Sequence, residues 1–533
     1  MTTRARTTAR ATTSTPSAEN DVRVSMFNSF MSCPHRDTEK IREIHEQLRQ
    51  KDPVFYAHLA SWYRKSQGEV LRDHNELFTS MLLTDSYVSN RDVGLALFRE
   101  HAPWMKSRII GFIKGKVAKI REKTGNMLKK GKKSVPEIRI IEKKVGMNKT
   151  LPTSLKTEIR AYLEWLEANP DRFDSVALRN FKDLKSLYFS RGKHGFKHNE
   201  RTQNILFKKE YPEDSKLAIF KKISSAKTPE AAAKLIVESK IPYTIAVGLV
   251  DKITPSVLVA LINAMTPQEV INNIASLKDR GAMDNADTKK LIEAKLEKAK
   301  TSKHVTALKS KTAVSTGRVQ DEGIEKQLND IADKQIKKSG IIKIPTAIFV
   351  DRSGSMSEAI EVGKRVAAMV SGVIEADMSV VVFDDAPMEI KSEGKTLSDW
   401  ERAFKPVRSG GQTSMGCALD FLLKKKQYVE QIVVVTDEGE NAHPLFSEAY
   451  ARYTKAMNVT PHVIIIHVGS PDTTFRANLQ KAGISFDVYT PAGNDYYGLP
   501  GLIMLLSRNS KLDLIMEIMD YPLATRRPFG EVR

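Results

Sequence analysis

From about residue 38 to residue 340, apolar positions recur three and four apart, the spacing of one helical face. The stretch DTEKIREIHEQLRQ follows a capping Asp37, and LTDSYVSNRDVGLALFREHAPWMKSRIIGFIKGKVAKI keeps the same period. Three later segments open on Thr228-Pro229, Thr254-Pro255 and Thr266-Pro267, followed by AAAKLIVES, SVLVALINAM and QEVINNIASL. A threonine at the N-cap accepts a backbone N–H, and a proline at the first helical position gives up no hydrogen bond. Short capped helices in series predict an α-solenoid of irregular period. Residues 300–340 read as a lysine-rich helical connection with Gly340 as its C-cap. The pattern then changes. IPTAIFV (344–350), MSVVVF (378–383), QIVVVTD (431–437), HVIIIHVG (462–469) and FDVYT (486–490) are short β-branched runs. Helical stretches such as EAIEVGKRVAAMVSGVIEA and HPLFSEAYARYTKAM separate them. Strands buried on both faces and alternating with helices predict an α/β doubly wound parallel sheet, whose ligands bind at the strands' carboxyl ends.

Composition adds boundaries. The chain has 533 residues, 41% hydrophobic and 28% charged, which suits a multidomain globular protein. No apolar run is long enough to span a bilayer, so no membrane partner is expected. Two cysteines, Cys33 and Cys417, cannot form a disulfide framework, which points to a reducing, cytoplasmic setting. Residues 1–22 are rich in Thr, Arg and Ala without an apolar core, and read as a disordered basic arm in preference to a transit peptide. The expected division is that arm, a helical-repeat domain over 23–340 and an α/β domain over 341–533. Residues 341–533 carry 21 Lys and Arg against 24 Asp and Glu, so the whole +20 excess, and more, lies in the first part. Such asymmetry points to a polyanion on the helical domain and a different task for the sheet.

Directly after the first strand of the sheet comes Asp351-Arg352-Ser353-Gly354-Ser355. The later loop SGGQTSMG supplies Thr413, and the end of QIVVVTD supplies Asp437. Carboxylates and hydroxyls are hard ligands that suit Mg²⁺, or Mn²⁺. Asp351, Ser353, Ser355, Thr413 and Asp437 match the metal-ion-dependent adhesion site of von Willebrand factor A domains. Two carboxylates leave the ion partly positive and able to accept an acidic group from a partner. Glu438 and Glu440, beside Asp437, read as a solvated loop. His443 reads as a surface helix start, and no general base is evident, so no catalytic role is expected.

Residues 101–150 hold fifteen Lys and Arg against three Glu. Lys114, Lys116, Lys119, Arg121, Lys129, Lys130, Lys132, Lys133 and Arg139 are candidate phosphate contacts. Gly115, Gly125 and Gly131 are read as points of close backbone approach. The run GNMLKKGKKS imitates a nucleotide-binding loop, but its glycine spacing is one too long and its serine is displaced. A second cluster spans 177–209. Arg179, Lys182 and Lys185 fall three apart, followed by Arg191, Lys193, His194, Lys197, His198 and Arg201, with Phe196 and other aromatics interleaved. Cations mixed with His and aromatic rings suit unpaired RNA, whose bases stack. Arg160 lies on the preceding helix. The two histidines alone make a poor zinc site.

These features in this order resemble the TROVE-domain Ro-type ribonucleoproteins, the family of the Ro autoantigen and its bacterial and phage relatives. LPTSLKTEIRAYLEWLEA with ALRNFKDLKSLY is similar to the paired helices before the family's RNA-contacting turn. IPYTIAVGLVDKITPSVLVALINAMTPQEVINNIASLKDRGAM resembles its middle repeats. ALKSKTAVSTGRVQDEGIEKQLNDIADKQI leading into IPTAIFVDRSGSMSEAIEVGKRVAAMVSG resembles the junction to its A domain. The resemblance covers about residues 40–520. It implies a ring of HEAT-like helical repeats closed by the A domain, monomeric and without catalysis. It also implies binding of small noncoding structured Y-type RNAs and of single-stranded ends of misfolded RNAs, with an exoribonuclease as a further partner in RNA quality control. The family's RNA-contacting histidine stands in a His-x-Lys-Pro-like turn, whereas this chain has FSRGKHGFKHNERTQ, leaving His194 and His198 as substitutes. Two other readings stand beside it: a cation-dependent protein-binding module with nonspecific nucleic-acid binding, and a subunit assisting metal insertion into tetrapyrroles. The second would need an ATPase module, and no acceptable nucleotide loop is present.

Overall fold

The computed structural model describes residues 23, 38–66, 72–130, 133–191, 195–239, 241–250, 252–302, 305, 310, 313–314, 321–337, 340–354, 356–469, 472–489, 502–503, 506–507 and 511–531. The expectations for the 1–22 arm, the Asp37 cap, Cys33, Gly131, Lys132, Lys193, His194 and Ser355 lie outside them.

The helical part begins with α1 (Thr38–Lys51), α2 (Pro53–Ser66), α3 (Arg72–Leu83), α4 (Val88–Glu100) and α5 (Pro103–Lys114). After a β-hairpin come α6 (Thr153–Glu167) and α7 (Pro170–Tyr188), then α8 (Ile219–Ser224), α9 (Pro229–Ser239) and α10 (Tyr243–Ala246). The series continues through α11 (Pro255–Ala264), α12 (Pro267–Asp279), α13 (Ala286–Ala299) and α14 (Glu322–Lys337). The threonine caps form as read. Thr228 Oγ1 accepts the N–H of Ala231, Thr254 that of Val257, and Thr266 makes a reciprocal capping box with Glu269. The apolar stripes meet in three successive cores, around Phe55, Tyr56 and Trp62, around Leu155, Phe173 and Leu184, and around Leu261, Ile274 and Leu328.

One segment departs from the helical reading. Strands β1 (Lys116–Lys130) and β2 (Lys133–Val145) pair antiparallel, with a register shift between Lys123 and Met127. Only short pieces, AKIR (118–121) and EIRI (137–140), alternate polar and apolar residues, too little to announce two strands. The root of the hairpin is tied to α5: Met147 N–H donates to Phe112 O at 2.9 Å and Lys149 N–H to Ile113 O at 2.8 Å. Gly146 has φ +114, and a Cβ there would lie 2.4 Å from Phe112 O, so glycine is required. Gly115 likewise serves this turn, with φ +77, rather than a phosphate approach. The imitation nucleotide loop falls on the two strands, and Ser134 opens no helix.

The second part is a six-stranded sheet in the order β5-β4-β3-β6-β7-β8. It comprises β3 (Thr346–Asp351), β4 (Met378–Phe383), β5 (Pro387–Ile390), β6 (Gln431–Thr436), β7 (His462–His467) and β8 (Phe486–Tyr489). Only β5, an edge strand carrying a proline, is antiparallel, and it is the strand the sequence did not announce. Helices α15 (Ser357–Val373), α16 (Leu397–Phe404), α17 (Met415–Lys424), α18 (Phe446–Met457) and α19 (Thr474–Lys481) intervene. One core forms around Ile348, Val350 and Val366, the other around Phe349, Leu419 and Tyr453, so the sheet is covered on both faces.

The chain then returns. Helix α20 (Lys511–Asp520) buries Leu514, Ile515 and Ile518 in the core of Phe55, Tyr56 and Trp62. Trp62 Nε1 donates to Glu517 at 3.0 Å, and Ala524 N–H to Ser61 Oγ at 3.1 Å. Farther along, Arg99 donates to Arg527 O at 2.8 Å and lies 4.2 Å from the centre of the Phe529 ring. Residues 511–531, grouped by sequence with the sheet, therefore pack on the first helices and close the chain upon itself. Their apolar stripe, not their position after the last strand, decides this.

Candidate metal centre and nucleic-acid interface

Parallel order puts the carboxyl ends of β3 and β6 side by side, at the point where the chain switches from one half of the sheet to the other. Asp351 ends β3 and is fully buried. One of its oxygens accepts the Ser353 N–H at 2.9 Å and the other the Thr436 hydroxyl at 2.8 Å. Burial pushes its carboxyl up to about 6, and the neighbouring charge of Asp437 adds to the rise against those hydrogen bonds. Thr413 is buried and stapled to the third loop: its N–H donates to Asn441 Oδ1 at 2.9 Å, and its carbonyl accepts the Asn441 N–H at 3.1 Å. The intervening loop is fixed by Arg352, which pairs with Asp384 at 2.8 Å and accepts the Gly410 N–H. Gly411 has φ +81, and a Cβ there would meet Asp384 at 3.1 Å. Four of the five candidate ligands therefore stand at one sheet edge, and Ser355 lies outside the described residues.

Two buried or half-buried carboxylates with hydroxyls and no histidine or cysteine make a donor set of hard oxygens. That chemistry fits Mg²⁺ or Mn²⁺. Among the described residues no three His, Cys, Asp or Glu side chains converge, so the hydroxyls of Ser353 and Thr413 are needed to complete such a site. Thr436, which fixes Asp351, was not singled out by sequence, although it directly precedes Asp437.

The carboxylates beside Asp437 are not a solvated loop. Glu438 is fully buried and receives Arg476 Nε at 2.6 Å and His467 Nδ1 at 2.7 Å. Burial alone would raise its carboxyl, but Arg476 and His467 outweigh it and hold the group low. Glu440 is buried too, and accepts the Phe446 N–H at 2.7 Å and Asn478 Nδ2 at 3.1 Å. Both residues pin loops around the site. His443 is exposed at the start of α18 and pairs with Glu448 at 3.1 Å.

The second candidate site lies after α7. Arg179 and Lys182 are exposed, but the helix is kinked at Asn180, with φ −132 and ψ 38, so the three cations do not share an ideal helical face. Past the helix end, Phe189 is 49% exposed, which is unusual for a large ring among charged neighbours. The His198 ring stacks on Phe207 at 4.8 Å, Phe189 meets Phe207 edge-on at 5.4 Å, and Lys185 Nζ lies 5.3 Å from the Phe207 centre. Arg191, Lys197 and His198 are exposed around this group. Phe196 and Tyr188 are buried core residues. Arg160 is exposed on α6. Phe207 was not singled out, because its partners lie across a loop in sequence.

Two expected contacts take other roles. Arg201 is held by the buried Asp174 through two hydrogen bonds, at 3.2 and 2.7 Å, and by Asp214 at 2.7 Å. It is a fold residue. Lys114 Nζ donates to the Ser190 carbonyl, which joins the hairpin root to the turn after α7. Lys116, Lys119, Arg121, Lys129, Lys130, Lys133 and Arg139 lie on the hairpin backbone.

No known family profile matches the chain, and no curated protein matches it in sequence. The fold nevertheless defines a class by its architecture, a helical part followed by a six-stranded α/β sheet, and it is similar to that of a solved Ro protein. The crystal structure of the Deinococcus radiodurans Ro (RSR) protein superposes with a TM-score of 0.57 at 14% identity, over 88% of this chain and 94% of that one. At that identity the likeness establishes the fold. Proximal thread matrix protein 1 of the mussel byssus, solved with a zinc-occupied metal-ion-dependent adhesion motif, is similar over 31% of this chain and 48% of its own, at 17% identity and a TM-score of 0.26. A von Willebrand factor type A protein from Catenulispora acidiphila is similar over 32% and 43%, at 15% identity and 0.25.

Proposed function

We propose that this chain is an RNA-binding scaffold of the Ro type. It binds small noncoding structured RNAs, Y-like in kind, on its helical part, and takes up single-stranded ends of misfolded RNAs. It acts as a cytoplasmic monomer in RNA quality control, presenting RNA to an exoribonuclease rather than cleaving it. The observation that carries the reading is the cluster after α7. There Phe189 is exposed, His198 stacks on Phe207 with Lys185 over the same ring, and Arg179, Lys182, Arg191 and Lys197 are exposed along α7 and the segment that follows it. Rings supply a face for an unpaired base at about 1–3 kcal/mol each, and the cations neutralise its phosphates.

The A-like domain has a separate task. Asp351, Ser353, Thr413 and Asp437, with Ser355, would hold a divalent cation, Mg²⁺ or Mn²⁺. Such an ion would supply an electrophilic point for an acidic group of a protein partner. Asp351 and Asp437 would bind it, while Thr436, Asn441 and Glu438 hold the loops in place.

The test is the affinity of the intact protein for a hairpin RNA with an unpaired tail. Arg179→Glu, Lys182→Glu and Phe189→Ala together should weaken binding about tenfold or more at moderate salt. All three residues are surface-exposed, so the fold should survive. Affinity within twofold of the unaltered protein would remove this surface from the RNA site.

A further inference from the structure

The β1–β2 hairpin is chemically unlike the turn after α7. Residues 116–145 contain eleven Lys and Arg, three Glu, and no Phe, Tyr, Trp or His. Neither strand packs extensively against a third element among the described residues. An isolated two-stranded ribbon is marginally stable by itself, so a partner laid along it would add to its stability. The register places Lys119, Arg121 and Lys123 on one face together with Lys144, and Lys116, Lys143 and Arg139 on the other. In the register Glu142 stands opposite Lys119, and Glu122 opposite Arg139. Toward the tip, Lys129 pairs with Ser134 and Lys130 with Lys133, with no acid opposite.

We infer that this hairpin is a second nucleic-acid site, specific for double-helical RNA through its phosphate backbone. The inference rests on the RNA-binding reading above and divides it. Unpaired bases are held by aromatic stacking, and the hairpin has no aromatic ring to offer. Helical RNA is held through phosphates, 2′-hydroxyls and shape, which requires cations and backbone only. Cations on both strands of a ribbon can meet the two phosphate rows that border the wide, shallow minor groove of helical RNA. A single strand offers one row. The root of the ribbon is joined to the turn after α7 by the Lys114–Ser190 hydrogen bond. One RNA with a stem beside an unpaired segment would meet both surfaces, the stem on the ribbon and the loose bases at Phe189 and His198.

The test uses the intact protein, a blunt-ended RNA duplex and an unstructured oligouridine. Arg121→Gln, Lys123→Gln, Lys129→Gln and Lys130→Gln are combined, neutral changes that leave the register unaltered. Duplex affinity should fall about tenfold or more, and the slope of log affinity against log salt should flatten by about 3 to 4. Oligouridine affinity should stay within twofold, which also shows that the variant is folded. Equal loss for both RNAs, loss for oligouridine alone, or no loss for the duplex overturns the inference while the RNA-binding reading stands. If the unaltered protein binds neither RNA, that reading falls first.

Discussion

Titrated with Mg²⁺ or Mn²⁺, the Asp351→Ala variant is expected to show no saturable cation binding by calorimetry, while its RNA affinity stays within twofold. Asp351 ends the central strand β3 and is held by the Ser353 N–H and the Thr436 hydroxyl, so its loss removes a buried carboxylate fixed at the proposed cation site. Its charge state also sets a pH dependence. With no cation bound, burial raises its folded-state value to about 6 from 3.8, so the folded protein holds the proton more tightly than the unfolded chain. Stability from this group is therefore present at low pH, declines as pH rises from 3.8 through about 6, and stays lower above that, by about 3 kcal/mol at most. A cation offsets that loss by binding the ionised form. Added Mg²⁺ should thus raise the melting temperature more at pH 7.5 than at pH 5, and Asp351→Asn should lose the effect. Saturable binding by Asp351→Ala, or a large loss of RNA affinity in the folded variant, would contradict the division between the two parts.

Asp174→Ala is expected to destabilise the helical part by about 3–5 kcal/mol, read as a shift in urea unfolding. Asp174 is fully buried, takes two hydrogen bonds from Arg201 and a third from the Lys216 N–H at 2.9 Å. Its removal strands a guanidinium that is mostly shielded from water. Asp214→Ala removes the other partner of Arg201, whose side chain is 71% exposed, and should cost under about 1 kcal/mol. A loss for Asp174→Ala as small as that for Asp214→Ala would return Arg201 to the list of RNA contacts.

Regular periodicity made much of this fold legible. The Thr-Pro starts gave helix caps that form as read, and the β-branched runs gave five of the six strands of the sheet. The hairpin is not legible because polar and apolar residues alternate over only about four positions in each strand, and its glycines resemble a phosphate loop. The edge strand Pro387–Ile390 was too short and too polar to stand out. The candidate metal ligands Asp351 and Asp437 were legible because each stands at the end of a strand, and parallel order brings those ends together, whereas Thr413 lies in the loop between α16 and α17. The roles of Glu438, Glu440 and Arg201 were not, because sequence shows a charge but not the partner that buries it. His467, Asn478 and Asp174 are all more than 25 residues away along the chain.

The most direct measurement is photocrosslinking of the intact protein to bound RNA, followed by mass spectrometry of the crosslinked peptides. The account predicts crosslinks in residues 116–145 and 179–208, with residues 346–489 left clean. Crosslinks concentrated in the sheet, or none on the helical part while RNA stays bound, would contradict it.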